Sequence, residues 1–189
     1  MYENLFVVDV EATSPTPMTG VMTEFAAVHV ITGAAFYAHL YDFTPHPDIP
    51  ALPVVVLNDD GTPRSNPYWD IHTDPKLTAR RGRHPRLDRV VTELEAWLKG
   101  FNGISPRLVS DNNGFDAMWL NCFTDQQAGK LLFGHSSRRI GDFYAGVSGE
   151  WSNQSAWKKL RQTKHTHDPL DDARGNAEAL RVILGVDPR

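Results

Sequence analysis

The N-terminal run LFVVDV, residues 5–10, is the feature that most restricts the fold. It is short, apolar and β-branched, which is typical of a strand buried in the middle of a sheet. Two further strand-like segments, residues 22–31 and 34–43, lie on either side of Thr32-Gly33, a pair that suits a hairpin turn. The three segments together predict an antiparallel meander.

The rest of the chain alternates helical and extended patterns. Helices are predicted over residues 86–99, from about residue 115, over 154–161 and over 169–184, and short strands over 107–111 and 138–144. Residues 45–85 are rich in Pro, Asp and Asn and form an irregular insertion, in which only PVVVL is strand-like. We therefore expect a single α/β domain over residues 1–189, with a mixed central sheet of antiparallel meander and parallel strands, flanked by helices.

Composition excludes several classes of protein. A net charge of -4 argues against a protein that grips nucleic acid by bulk charge, although a local basic strip would still serve. The single cysteine, Cys122, excludes an intramolecular disulfide framework. Apolar runs are far shorter than the ~20 residues that a membrane helix needs. We expect a soluble, cytoplasmic domain with no membrane partner.

Three acids stand at positions where carboxylates can meet a cation. Asp9 and Glu11 are two apart on the first strand, so their side chains share a face about 7 Å apart. A divalent cation such as Mg²⁺ or Mn²⁺ would offset their repulsion. Asp116 lies in the first turn of a predicted helix. The structural alternatives are a solvated strand end for the first two and a complement to the helix dipole for Asp116.

The stretch HTHDPLDD, residues 165–172, begins the last helix. Pro169 suits the first helical position, which makes Asp168 the N-cap and Asp171 the third residue of a capping-box variant. We therefore interpret those two aspartates as structural.

On the same count His167 and Asp172 occupy the positions that approach each other in a hydrophobic staple. This spacing brings a base beside an acid that can bind metal, whereas His165 is expected on the opposite side of an extended segment. Four carboxylates and one histidine are what a two-metal phosphodiesterase requires. The candidates are Asp9, Glu11, Asp116, Asp172 and His167.

These residues occur within motifs that resemble the DEDDh 3′–5′ exonucleases, the group that includes ribonuclease T, oligoribonuclease and the polymerase III proofreading subunit. VVDVEATS is similar to their first motif, and EFAAVHV to the strand that follows it. SDNNGFDAMWL is similar to the second motif, and HDPLDDA matches the third, with histidine and aspartate five positions apart. The resemblance extends from Asn4 to Leu184.

The resemblance implies a ribonuclease H-like fold and a metal-dependent 3′–5′ exonuclease. It implies that Asp9, Glu11, Asp116 and Asp172 bind two divalent cations, Mg²⁺ or Mn²⁺, and that His167 is the general base. Thr13 and Asn112 would contact the terminal nucleotide. Single-stranded nucleic acid would be the substrate, a nucleoside monophosphate the product, and a homodimer the assembly. Ser14 departs from the glycine common at its position.

Basic and aromatic residues offer a path for the substrate. One basic run lies between residues 80 and 86, and a second comprises Lys158, Lys159, Arg161 and Lys164; either would track phosphates or be a solvated face. Tyr68, Trp69 and Trp151 could stack bases, whereas Trp157 and Trp119 are expected in the core. No polymerase or helicase sequence accompanies the domain, so we favour RNA slightly over DNA.

The sequence leaves two alternatives to an exonuclease open. One is a zinc hydrolase that uses His165, His167 and Asp168, although zinc sites usually have more His or Cys ligands at suitable spacing. The other is a non-catalytic nucleic-acid-binding module on the same fold. The presence of all five candidate catalytic residues argues against this module.

Overall fold

The computed structural model describes residues 2–40, 85–101 and 105–186. The strands are β1 (Leu5–Ala12), β2 (Met22–His29), β3 (Ala35–His39), β4 (Arg107–Ser110) and β5 (Arg138–Arg139). The helices are α1 (Pro85–Lys99), α2 (Asn113–Ala128), α3 (Ile140–Ser148) and α4 (Pro169–Leu184), with a 3₁₀ helix at Ala156–Leu160.

The strands form one mixed sheet in the order β3-β2-β1-β4-β5. β1 is antiparallel to β2, and β2 to β3, whereas β1 is parallel to β4 and β4 to β5. β1 is therefore the central strand, which explains its continuous apolar sequence. The last pair between β1 and β4 is Val7–Val109, so the end of β1 extends past β4.

A separate hydrophobic core covers each face of the sheet. Val8 and Val10 pack with α1 and α2 in the larger core, whereas Val7 packs with α4 in the smaller one. Since side chains alternate along a strand, Asp9 and Glu11 share the face of Val7. These two acids consequently lie at the end of the core that α4 covers.

The structure confirms the mixed sheet flanked by helices and the predicted bounds of α4. The predicted strand over residues 138–144 is wrong beyond Arg139, because α3 begins at Ile140. The apolar positions there recur at helical spacing, with Ile140 and Tyr144 packed on the smaller core and Ala145 buried. The PVVVL segment lies outside the described residues. Within the described ranges no helix is long and apolar enough to cross a membrane.

Candidate active site

Three carboxylates from two elements converge at the end of β1. Asp9 and Glu11 lie on one face of the strand, as their spacing predicts, and Asp172 approaches them from α4. One oxygen of each side chain lies within 4.8 Å of the other two. Asp172 is 2% exposed, whereas the other two acids are partly exposed. The cluster is thus buried on the helix side and open at the strand end.

The start of α4 decides which of its three aspartates faces β1. Asp168 is the N-cap, and its Oδ1 accepts the N–H groups of Leu170 at 2.8 Å and Asp171 at 3.4 Å. Asp171 accepts a hydrogen bond from the Thr166 hydroxyl at 3.0 Å. Both therefore make the local contacts of a helix start, and Asp172 is the acid that joins the cluster.

The segment before α4 is held against the helix by polar contacts and one close approach. Glu178 accepts hydrogen bonds from the N–H groups of Gln162 and Thr163 and from the Thr163 hydroxyl. A Cβ on Gly175 would lie 2.6 Å from the Thr163 carbonyl oxygen, so the backbone of the segment touches the helix there. Nearer the acids, the Thr166 N–H donates to Asp172 Oδ1 at 3.0 Å.

Both histidines of this segment lie beside Asp172. The Nδ1 atom of His165 is 2.5 Å from Asp172 Oδ2, and the two imidazole centroids are 4.3 Å apart. The prediction that His165 lies on the opposite side of an extended segment is therefore wrong. Side chains two positions apart in an extended segment share a face, as those of Asp9 and Glu11 do, so the spacing of His165 and His167 itself favours one side. The backbone at His167 is left-handed, with a φ of 62°, which no spacing along the sequence indicates.

The fourth predicted acid, Asp116, contacts the backbone of β1 from α2. It is 3% exposed in the first turn of α2, and its Oδ1 accepts the Val10 N–H at 3.2 Å. This bond lies beyond the last pair between β1 and β4 and so replaces a missing strand partner. The Oδ2 atom is buried without a hydrogen-bond partner among the described residues. Asp116 is outside the 4.8 Å group that Asp9 forms with Glu11 and Asp172.

Burial and the charges of neighbouring acids raise the pKa of three of the acids, Asp9, Glu11 and Asp116. The pKa of Asp9 rises to about 9, through burial first and then the charges of Asp116, Asp172 and Glu11. Burial raises the pKa of Glu11 to about 7, an effect that the neighbouring His167 partly offsets. Burial likewise raises the pKa of Asp116 to about 7. The acids therefore cannot all ionise at neutral pH unless positive charge is brought among them.

The two residues predicted to contact a nucleotide have different surroundings. Thr13 is buried; its N–H donates to the Val21 carbonyl oxygen at 2.9 Å, and its Oγ1 accepts the Val21 N–H at 2.9 Å. It thereby closes the loop that follows Glu11. Asn112 precedes α2 as its N-cap residue, yet its exposed side chain makes no capping hydrogen bond.

The second basic run is partly neutralised next to the acids. Asp111, at the end of β4, pairs through Oδ2 with Lys158 at 2.6 Å and with Arg161 at 3.3 Å. Lys159 and Lys164 are exposed. The prediction of core positions for Trp157 and Trp119 is confirmed, at 0% and 3% exposure, whereas Trp151 is 81% exposed. The basic residues 80–86, with Tyr68 and Trp69, lie outside the described side chains.

The sheet order and flanking helices define a ribonuclease H-like fold, the fold of the DEDDh exonucleases. No protein-family model and no curated protein matches the chain in sequence. Among solved structures, the nuclease domain of 3'hExo, a DEDDh family member bound to rAMP, is 16% identical with a TM-score of 0.59. The match covers 100% of this chain and 96% of that one.

Two exonuclease I structures also match. The enzyme from Methylocaldum szegediense is 16% identical over 94% of this chain, and the zinc-bound E. coli exonuclease I–ssDNA complex is 14% identical over 96% of it. Both have a TM-score of 0.51, and the match spans 40% and 41% of their chains. The structural neighbours are thus 3′–5′ exonucleases of DEDDh type, which confirms the expected fold. At these identities the likeness establishes the fold alone.

Proposed function

We propose that the protein is a metal-dependent 3′–5′ exonuclease that hydrolyses phosphodiester bonds at single-stranded 3′ ends. The observation that carries the proposal is the convergence of Asp9, Glu11 and Asp172 within 4.8 Å, with His167 beside Asp172. The fold shared with known exonucleases supports it. The released product would be a nucleoside monophosphate.

The donor atoms suit hard divalent cations. Carboxylate oxygens are the ligands that Mg²⁺ and Mn²⁺ favour, and three of them already lie close together. The buried, unpartnered Oδ2 of Asp116 offers a fourth. We assign Asp9, Glu11, Asp116 and Asp172 as the ligands of two such ions. When bound, the ions would activate a water molecule and offset the charge of the leaving oxygen.

The remaining chemistry belongs to His167. Its side chain is exposed at the mouth of the acid cluster, where water and a phosphodiester can reach it. An imidazole accepts and releases protons near neutral pH, so His167 suits the removal of a proton from the attacking water. The contacts of Thr166 with Asp172 and Asp171 hold the backbone next to this imidazole. We therefore assign His167 as the general base.

Nucleotide contacts are proposed on both sides of the acids. The loop closed by Thr13 and the exposed amide of Asn112 would meet the terminal nucleotide. The cations at Lys158, Lys159, Arg161 and Lys164 would follow the phosphates behind it. RNA is proposed as the better substrate; the neighbours divide on this point, since 3'hExo is bound to rAMP and E. coli exonuclease I to ssDNA.

The structure argues against a zinc hydrolase whose ligands are His165, His167 and Asp168. Its third ligand, Asp168, is engaged as the helix cap, and the acid beside the two histidines is Asp172. A non-catalytic module would require binding without turnover. The acid cluster argues against that reading, because a binding surface gains nothing from buried carboxylates that repel each other and the phosphates.

The experiment offers purified protein a 5′-labelled single-stranded RNA and the matching DNA, with Mg²⁺, Mn²⁺ or EDTA. We expect metal-dependent shortening from the 3′ end, faster for RNA, and none with Asp172→Ala. Asp125→Ala, an exposed acid on α2, is the matched control. Binding without shortening in any metal would leave the non-catalytic module, and equal cleavage by Asp172→Ala would overturn the site assignment.

Three expectations about the chain as a whole remain predictions. We propose that residues 1–189 form one domain, that the protein is a cytoplasmic homodimer and that its cysteine stays reduced. Light scattering of the purified protein would measure the assembly directly. A monomer at working concentration would contradict the dimer and leave the active site unaffected.

A further inference from the structure

Asp172 belongs to two groups of metal-capable side chains. One is the all-carboxylate group with Asp9 and Glu11. The other joins it to His165 and His167, again with one ligand atom of each residue within 4.8 Å of the others. Because Asp172 Oδ1 accepts the Thr166 N–H, Oδ2 is the oxygen left for either group, and cations in the two groups compete for it.

The two groups differ in chemistry. Three carboxylates suit Mg²⁺ or Mn²⁺, whereas two imidazoles and one carboxylate suit Zn²⁺. Three protein ligands with an open fourth position form a common zinc site. Zinc also binds nitrogen and oxygen ligands more strongly than Mn²⁺ does in the usual order of divalent metals. The histidine group, His165 and His167 with Asp172, should consequently bind zinc in preference to Mg²⁺ or Mn²⁺.

The histidine group is oriented by its surroundings. The Thr166 N–H holds Asp172 Oδ1, which leaves Oδ2 directed toward His165. Glu178 and the close approach at Gly175 fasten the chain just before the histidines to α4. Such outer contacts fix the ligands of metal sites. The side chain of His165 is 49% exposed, so an ion can enter from solvent.

The short contact between His165 and Asp172 is compatible with a metal in that position. Two ligand atoms on a tetrahedral zinc lie about 3.3 Å apart when each bond is about 2.0 Å long. The Nδ1 and Oδ2 atoms are 2.5 Å apart. The two atoms would have to move apart by less than about 1 Å to admit the ion, and a half-exposed imidazole has room for that movement.

We propose that His165, His167 and Asp172 form a zinc site that excludes the catalytic cations. Zinc bound there occupies one carboxylate of the acid cluster together with the proposed base, so it inhibits cleavage supported by Mg²⁺ or Mn²⁺. The zinc site itself stands on the geometry of the three side chains. Only its inhibitory effect rests on the proposed exonuclease function.

Direct zinc binding is the first test. Metal-stripped protein competes with a chromogenic chelator for zinc sulfate, using the wild type, His165→Ala and His135→Ala. His135 is an exposed histidine outside the group, so its variant is the matched control. Changes to outer contacts alone typically cost 10–100-fold in metal affinity, so loss of a direct ligand should cost about 100-fold or more. An unchanged zinc affinity in His165→Ala would overturn the site.

A second measurement needs no variant. X-ray absorption at the zinc edge of the wild-type complex should show two imidazole ligands and the remainder oxygen. A spectrum of oxygen ligands alone would refute the site even if the variants misfolded. It would mean that zinc binds instead to the all-carboxylate group of Asp9, Glu11 and Asp172.

Inhibition separates this inference from the proposed function. Zinc should suppress Mg²⁺-dependent cleavage by the wild type and by His135→Ala, and much less by His165→Ala, each compared with its own zinc-free rate. Equal suppression in all three would refute the exclusion. If no protein cleaves in Mg²⁺ yet zinc binding depends on His165, the exonuclease proposal fails and the zinc site stands.

Discussion

Asp9→Asn should stabilise the metal-free protein at neutral and alkaline pH while it abolishes cleavage. The folded state raises the pKa of Asp9 from 3.8 to about 9, with burial as the largest cause. Between these values the folded protein holds a proton that the unfolded chain has released. The free energy of unfolding therefore falls as the pH rises through this window. Asparagine, which never ionises, removes the effect.

The magnitude follows from the proton linkage. Each pH unit inside the window costs about 1.4 kcal/mol for a fully shifted group, so the interval from about pH 5 to about pH 8 has an upper limit of about 4 kcal/mol. Asp9 is partly exposed, and water at the open end of the cluster screens its charge. We expect roughly 1–2 kcal/mol. Glu11 and Asp116 contribute with the same sign up to about pH 7.

Urea unfolding in EDTA, followed by circular dichroism at both pH values, measures the difference. Wild type should lose stability on going to the higher pH, and Asp9→Asn should lose roughly 1–2 kcal/mol less. Asp125→Asn, an exposed acid on α2, is the control and should follow the wild type. Added Mg²⁺ should restore the wild type and not the variant. Parallel pH dependence of wild type and Asp9→Asn would refute the reasoning.

Two further predictions concern the segment that holds the histidines. His167→Ala and His167→Gly should both lower the cleavage rate by roughly 10²–10⁴-fold, since each removes the base; recovery in the glycine variant would mean that only the left-handed backbone at φ 62° matters. Gly175→Ala should destabilise the fold by about 1–3 kcal/mol, because its Cβ would lie 2.6 Å from the Thr163 carbonyl oxygen. Thermal unfolding beside Arg174→Ala, an exposed neighbour, checks this, and a stabilised Gly175→Ala would contradict it.

Local patterns were enough to predict the parts of the fold that depend on neighbouring residues. The apolar run of β1, with Asp9 and Glu11 on one face, follows from the period of two in a strand. The start of α4 follows from Pro169 at the first helical position and Asp168 as the cap. Such signals span only a few residues, and tertiary contacts did not alter the strand and the helix that they predict.

Local sequence patterns gave a wrong secondary structure where contacts with distant residues determine whether the chain forms a helix or a strand. Residues 140–144 could extend a strand by composition, yet Ile140 is buried in the smaller core and Gly141 abuts the chain near Gln154, where a Cβ would lie 2.5 Å from the carbonyl oxygen. A helix satisfies both contacts. Neither contact has a local mark in the sequence, and the helical spacing of Ile140 and Tyr144 spans too few residues to decide between helix and strand.

The sequence by itself determined which acids stand on β1 and at the start of α4, since strand alternation and helix capping act over a few residues. Only the tertiary structure decided that Asp172 meets both β1 and His165. That meeting depends on how α4 packs across the sheet and on the hydrogen bond from the Thr166 N–H to Asp172, which holds the histidine segment against the helix. Packing between elements far apart in the chain has no short-range signature, and it is this packing that places two kinds of metal ligand around one carboxylate.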